Sequence, residues 1–117
     1  MFDEEAEIKR ALKLAELKMP DFDTVIDLFD MTFIHIGKES AQLSGYTPKE
    51  MIGKHITDFM TTTPKADEFK NIILNTLEGR ATIPIKTKSG KEILVPMDFL
   101  TIEVENHPFL VTKAAKA

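Results

Sequence analysis

Residues 43–54 read Leu-Ser-Gly-Tyr-Thr-Pro-Lys-Glu-Met-Ile-Gly-Lys, and nearly every one carries a local structural instruction. Gly45 takes the left-handed conformation without a Cβ penalty, so it can close a short helix over residues 38–44. Thr47 is then an N-cap, and Pro48 is a first helical residue with φ already set. Glu50 stands three past the cap, where its carboxylate reaches back to the Thr47 amide. Tyr46 and Met51 flank the cap with the spacing of a hydrophobic staple, and Gly53 ends the second helix after little more than a turn. The product is a rigid double corner, which by itself would also suit a plain connector between helices.

Outward toward the N-terminus, residues 24–29 and 32–36 are short β-branched and aromatic runs, with Asp30-Met31 as a tight turn between them and Gly37 ending the second. Before them, residues 2–19 have helical periodicity, with Asp3 as cap and Ile8, Ala11, Leu12, Ala15 and Met19 on one face. Leu14 and Leu17 are read as falling nearly opposite, either as tolerated surface leucines or as a second contact face. Toward the C-terminus, compact helical structure continues through residues 56–60. Thr61-Thr62-Thr63-Pro64 is a further cap, opening a helix on which Phe69, Ile72, Ile73 and Leu77 share a face until Gly79.

From Arg80 the period changes to two, and Ala81, Ile83 and Ile85 alternate with Arg80, Thr82, Pro84 and Lys86. Pro84, on the polar side, places this strand at a sheet edge because proline cannot donate to a ladder. After a Ser89-Gly90 turn, residues 91–105 bury Ile93, Val95, Met97 and Phe99, and then the apolar positions shift to Leu100, Ile102 and Val104. That slip of phase means either a bulge near Phe99 or a strand covered on both faces. Asn106-His107 is read as the last turn and residues 108–112 as the last strand.

The expected fold is therefore α+β, a five-stranded antiparallel sheet with helices on one face. If Leu100, Ile102 and Val104 face the other way, the N-terminal helix is the element left to cover them. The division is a capping helix over residues 1–20 and one domain over residues 21–117.

The whole chain agrees with that size. Its 117 residues can bury one core. A net charge of −4 from 15 basic and 19 acidic residues argues against direct nucleic-acid binding by phosphate neutralisation. No cysteine is present, which excludes disulfides and thiolate chemistry and fits a reducing, cytoplasmic setting. No apolar run approaches membrane-spanning length, and acidic residues stand where a secretory signal would need basic and apolar ones.

In this order and spacing the sequence resembles a PAS domain over about residues 22–112. The resemblance is carried by Asp-Thr-Val-Ile-Asp-Leu-Phe-Asp leading into Phe-Ile-His-Ile, by the corner at 43–54, and by Thr-Lys-Ser-Gly-Lys-Glu before a long strand. It departs from the family pattern at Gly37, where asparagine is common, and at Met31, where a turn glycine is usual. It also lacks the Asp-Ile-Thr ending that often leads into a signalling helix, so the chain is expected to be a module excised from a longer protein.

The resemblance implies a cavity between the inner sheet face and the longer helix, lined by some of Ile34, Ile36, Phe59, Phe69, Ile73, Ile83, Val95, Met97 and Phe99. The same residues would serve a filled core, and both readings stay open. The family's covalent flavin adduct and coumaroyl chromophore each need a cysteine and are excluded. Haem is disfavoured because residues 65–77 hold no histidine; the family's flavin redox type is made less expected, but not removed, by the absence of tryptophan, and a small apolar ligand is the other candidate occupant. His35 is read as a strand histidine on the Phe33 side, His55 as a solvated residue at a helix entry, and His107 as a turn residue. They form no metal spacing. No nucleophile elbow or phosphate loop is present, so the chain is not expected to be an enzyme.

The function that the resemblance implies is that of a sensory or regulatory module of a larger signal-transduction protein, such as a sensor histidine kinase or a transcription regulator. Its partners would be an output domain and a second copy, the homodimer using Phe2, Leu14 and Leu17. The alternative is a ligand-free interaction module of the same fold.

Overall fold

A computed structural model of the chain describes residues 4–61 and 64–115. Phe2, Asp3, Thr62 and Thr63 lie outside the described residues, and with them part of the expected dimer face and of the third helix cap. Three long strands joined by tight turns carry the architecture: β3 (Glu78–Lys86), β4 (Glu92–Val104) and β5 (His107–Ala114). β1 (Thr24–Asp27) and β2 (Thr32–Ile36) complete one antiparallel sheet in the order β2-β1-β5-β4-β3. On one face lie α2 (Lys38–Ser44), α3 (Pro48–Met51), the 3-10 helix Ile56–Phe59 and α4 (Pro64–Asn75); α1 (Glu4–Lys18) crosses the other.

The phase slip in β4 is a change of face and not a bulge. Its ladders run without a register shift from Glu78↔Leu100 to Lys86↔Glu92 on one side and from Met97↔Ala114 to Val104↔His107 on the other. Val95, Met97 and Phe99 therefore point to the inner core, while Leu100, Ile102 and Val104 meet α1. Ala11 and Ala15 are completely buried against the outer face with Val25, Phe109 and Val111. Alanine here lets the helix axis approach the sheet closely, and a longer side chain would have no room.

The irregularity lies instead in the first hairpin. Thr24 pairs with Ile36 and Val25 with His35, but Ile26 pairs with Phe33, so Ile34 is the extra residue of a β-bulge. Phe33 and Ile36 consequently share the inner face although they are three apart, and Ile34 and His35 turn toward α1. His35 packs beside Phe22, with ring centroids 5.4 Å apart, and not on the Phe33 side. The turn is also longer than expected, spanning residues 28–31, with Met31 at φ 59° in the position where a turn glycine is usual.

The corner folds as its sequence directs. Thr47 Oγ1 accepts from Glu50 N at 3.3 Å and Glu50 Oε1 accepts from Thr47 N at 3.0 Å, a reciprocal capping box with Pro48 in the first turn. Gly45 closes α2 at φ 81° and donates to Ala41 O. The corner is clipped to the β3–β4 hairpin, since Lys88 N donates to Ser44 O and Lys88 Nζ pairs with Glu50 at 3.0 Å. The Thr47 backbone bond and then Lys88 hold the Glu50 carboxyl below its ordinary range.

Two of the strand prolines, Pro84 and Pro96, aim their missing N–H away from a ladder partner. Pro84 lies in edge strand β3, and its carbonyl accepts from Thr61 N on the outer edge, the direction its nitrogen also points. It is buried, however, where the alternation suggested an exposed polar side. Pro96 lies just past the end of β5, where its carbonyl takes Ala115 N.

α4 ends at Asn75, so Leu77 is exposed in the connection and Gly79 belongs to β3. The last turn is made by Glu105 and Asn106, at φ 49° and 68°, and His107 opens β5 as a buried residue. No described helix is long and apolar enough to cross a membrane.

Candidate ligand-binding cavity

The inner face of the sheet and the helices over it enclose a cavity of about 30 Å³. Space for one water is roughly 10–15 Å³, so it has room for about two or three waters as packed. Four of the residues named from sequence line it: Phe59, Phe69, Ile83 and Met97. Ile36, Ile73, Val95 and Phe99 belong to the same buried core without lining the space, and Ile34 packs with the α1 cluster because of the bulge.

The aromatic wall is ordered by edge contacts. Phe59 meets Phe33 at 5.7 Å and Tyr46 at 4.9 Å between centroids, both near perpendicular. Three methionines, Met51, Met60 and Met97, complete much of the lining. Their unbranched, rotatable side chains can change the shape of a cavity with little steric resistance.

Sequence reasoning missed the polar end, formed by Thr24, Ser40, Ser44 and Thr112. Thr24 Oγ1 and Ser40 Oγ lie 2.8 Å apart, and both hydroxyls also reach Asp23 Oδ2. Asp23 accepts from Glu39 N at 3.1 Å and Ser40 N at 3.0 Å, capping α2 from outside that helix. It takes the place of a cap at Gly37, which has no side chain and where a Cβ would overlap Asp23 itself. The Asp immediately before the first strand and the Gly at a helix start were the two halves of this signal, fourteen positions apart.

Ser44 Oγ donates to Ala41 O at 3.3 Å and accepts from Tyr46 N at 3.3 Å. The hydroxyls of Thr24, Ser40 and Ser44 are thus already hydrogen-bonded, so a group approaching them would compete with existing bonds. The histidines lie elsewhere: His35 beside Phe22, His55 exposed and capping the 3-10 helix by accepting from Thr57 N at 3.2 Å, and His107 on the outer face. On the expected dimer helix, Leu14 packs partly against the outer cluster while Leu17 is 77% exposed. At 100° per residue Leu14 is only about 60° from Ala11, which is beside the buried face and not opposite it.

No family model and no curated protein matches the sequence. Solved structures do. The chain is similar to the PAS domain of an HTR-like protein from Haloarcula marismortui, at 17% identity and TM-score 0.60 over 96% of this chain and 97% of that one. It is similar to a PAS domain from a two-component sensor histidine kinase, at 12% identity and TM-score 0.66, covering 92% and 98% of the two chains. A third is the PAS-B domain of Drosophila melanogaster Cycle with bound ethylene glycol, at 11% identity and TM-score 0.66, over 80% and 97%. The chain has the PAS fold.

Proposed function

We propose that this domain is a sensory or regulatory module of a larger signal-transduction protein, a sensor histidine kinase or a transcription regulator. It has no catalytic role of its own in this reading. A change at the inner core is relayed through the sheet to α1 and to an output domain, with a second copy of the chain docking on α1 around Leu17.

The observation that carries the reading is the use of β5 by both layers. Leu110 and Thr112 face the core and cavity, whereas Phe109 and Val111 face α1. Displacing the first pair moves the second, because one backbone carries both. A sensed molecule would be small and largely apolar, seated among Phe59, Phe69 and Met97 after rearrangement of the methionines.

The second reading, a ligand-free interaction module, is favoured by the cavity itself, which is small and whose Thr24, Ser40 and Ser44 hydroxyls are already hydrogen-bonded. Native mass spectrometry of protein purified without denaturation separates the two. A retained small molecule, or a thermal shift with a small apolar compound that also moves α1 amide signals, supports sensing. Neither effect, together with a dimer that Leu17→Asp dissociates, supports the interaction module.

A further inference from the structure

On the outer face, three ionisable side chains from three elements meet out of water. Glu7 of α1 is 5% exposed and His107 of β5 is 7% exposed, with Asp27 of β1 beside them. His107 Nε2 is 2.7 Å from Asp27 Oδ1, and His107 Nδ1 is 3.4 Å from Glu7 Oε2. The imidazole is stacked on Phe109 at 4.6 Å and 10°, and the Phe29 ring lies 4.3 Å from it, tilted by 37°. That contact gives a role to Phe29, which is otherwise 69% exposed.

A neutral imidazole carries one N–H and can donate to one carboxylate only. With that proton on Nε2, directed to Asp27, the Nδ1 lone pair faces a buried carboxylate oxygen. Glu7 Oε2 makes no hydrogen bond among the described residues. The doubly protonated ring donates to both carboxylates and is further favoured by the stacked face of Phe109. The charge on His107 therefore decides whether the Glu7 side of the cluster attracts or repels. The element that yields is α1, since Asp27 is fixed in a strand paired on both sides, whereas the described contacts of α1 with the sheet are side-chain packing and not ladder bonds. The neighbouring Arg10 to Glu105 ion pair, at 3.0 Å, is exposed and lies outside this buried cluster.

We propose that Glu7, His107 and Asp27 form a proton-operated latch that fastens the first half of α1 to the sheet when His107 is protonated and loosens it when the proton leaves. The latch stands independently of the sensory reading, because it requires neither a ligand nor a partner.

The test is amide hydrogen exchange of residues 8–15 at pH 5.5 and pH 8.0, the range over which an imidazole ordinarily changes charge. Rates are corrected for intrinsic exchange and referred to β3 and β4, while the His107 ring signals are followed by NMR. Protection of α1 should fall by about tenfold relative to the sheet as the pH rises, in step with the His107 signals. In Glu7→Gln, whose amide can donate to Nδ1 or accept from it, the fall should disappear. His107→Gln should likewise be flat, which keeps the test informative if one variant folds poorly. A His107 ring that does not titrate in this range, α1 protection that ignores its titration, or an equal fall in Glu7→Gln would each overturn the latch.

Discussion

The inner side of the sheet has Phe59, Phe69 and three methionines around a small cavity, whereas the outer side has two alanines and the cluster of buried Glu7 and His107 with partly buried Asp27. The inner layer can change shape, because methionine rotamers interconvert at little cost and a space already exists. The outer layer cannot give sterically, because Ala11 and Ala15 leave no slack, but it can change its charge. One sheet thus separates a face that answers to volume from a face that answers to protons, and β5 belongs to both.

The largest expected effect tests the inner face. Phe69→Ala should cost about 3–5 kcal/mol in urea denaturation, the usual loss for a buried phenylalanine whose site cannot fully collapse. A loss below about 1 kcal/mol would mean the helices over the sheet are loosely packed, and the contrast between the faces would fail. Ala15→Leu tests the outer face and should cost about 1–3 kcal/mol by overpacking. Its exchange signature should appear in α1 first, leaving Phe59 and Phe69 ring signals in place; equal disturbance on both faces would show that they do not separate.

The smallest effect concerns the corner clipped to the β3–β4 hairpin. The lowered Glu50 carboxyl contributes stability that is present above its ordinary range and is lost as the pH falls through its folded-state value. Glu50→Gln should therefore lower the melting temperature slightly at neutral pH, and the gap to the parent should close in acid. A gap that persists undiminished at pH 3 would remove the ionised capping box as its cause.

Much of the fold is readable from residues whose partners are near in sequence. Thr47, Pro48, Glu50 and Gly45 act within one another's reach, so their reading and their geometry agree. The two-sided burial of β4 is also present in the phase slip after Phe99, and the unbroken ladders decide it. The misplacements come from pairing, which no local pattern encodes. The bulge at Ile34 inverts His35 and removes Ile34 from the core, and the turn at Glu105 and Asn106 moves His107 from a loop into a buried strand. Asp23 capping α2 from another segment is hidden for the same reason. Glu7 stands on the buried side of the helical wheel, four before Ala11 and eight before Ala15, but a glutamate on an apolar face shows its purpose only once His107 is opposite it.

The measurement that bears most directly on communication between the faces is hydrogen exchange of α1 in Ile83→Ala, a substitution confined to the cavity wall on a strand that α1 does not need for docking. Altered protection at residues 8–15, with β3 and β4 still protected and Glu7 and His107 untouched, is the expected result. Protection of α1 identical to the parent, despite a measured loss of core stability, would contradict the relay through β5.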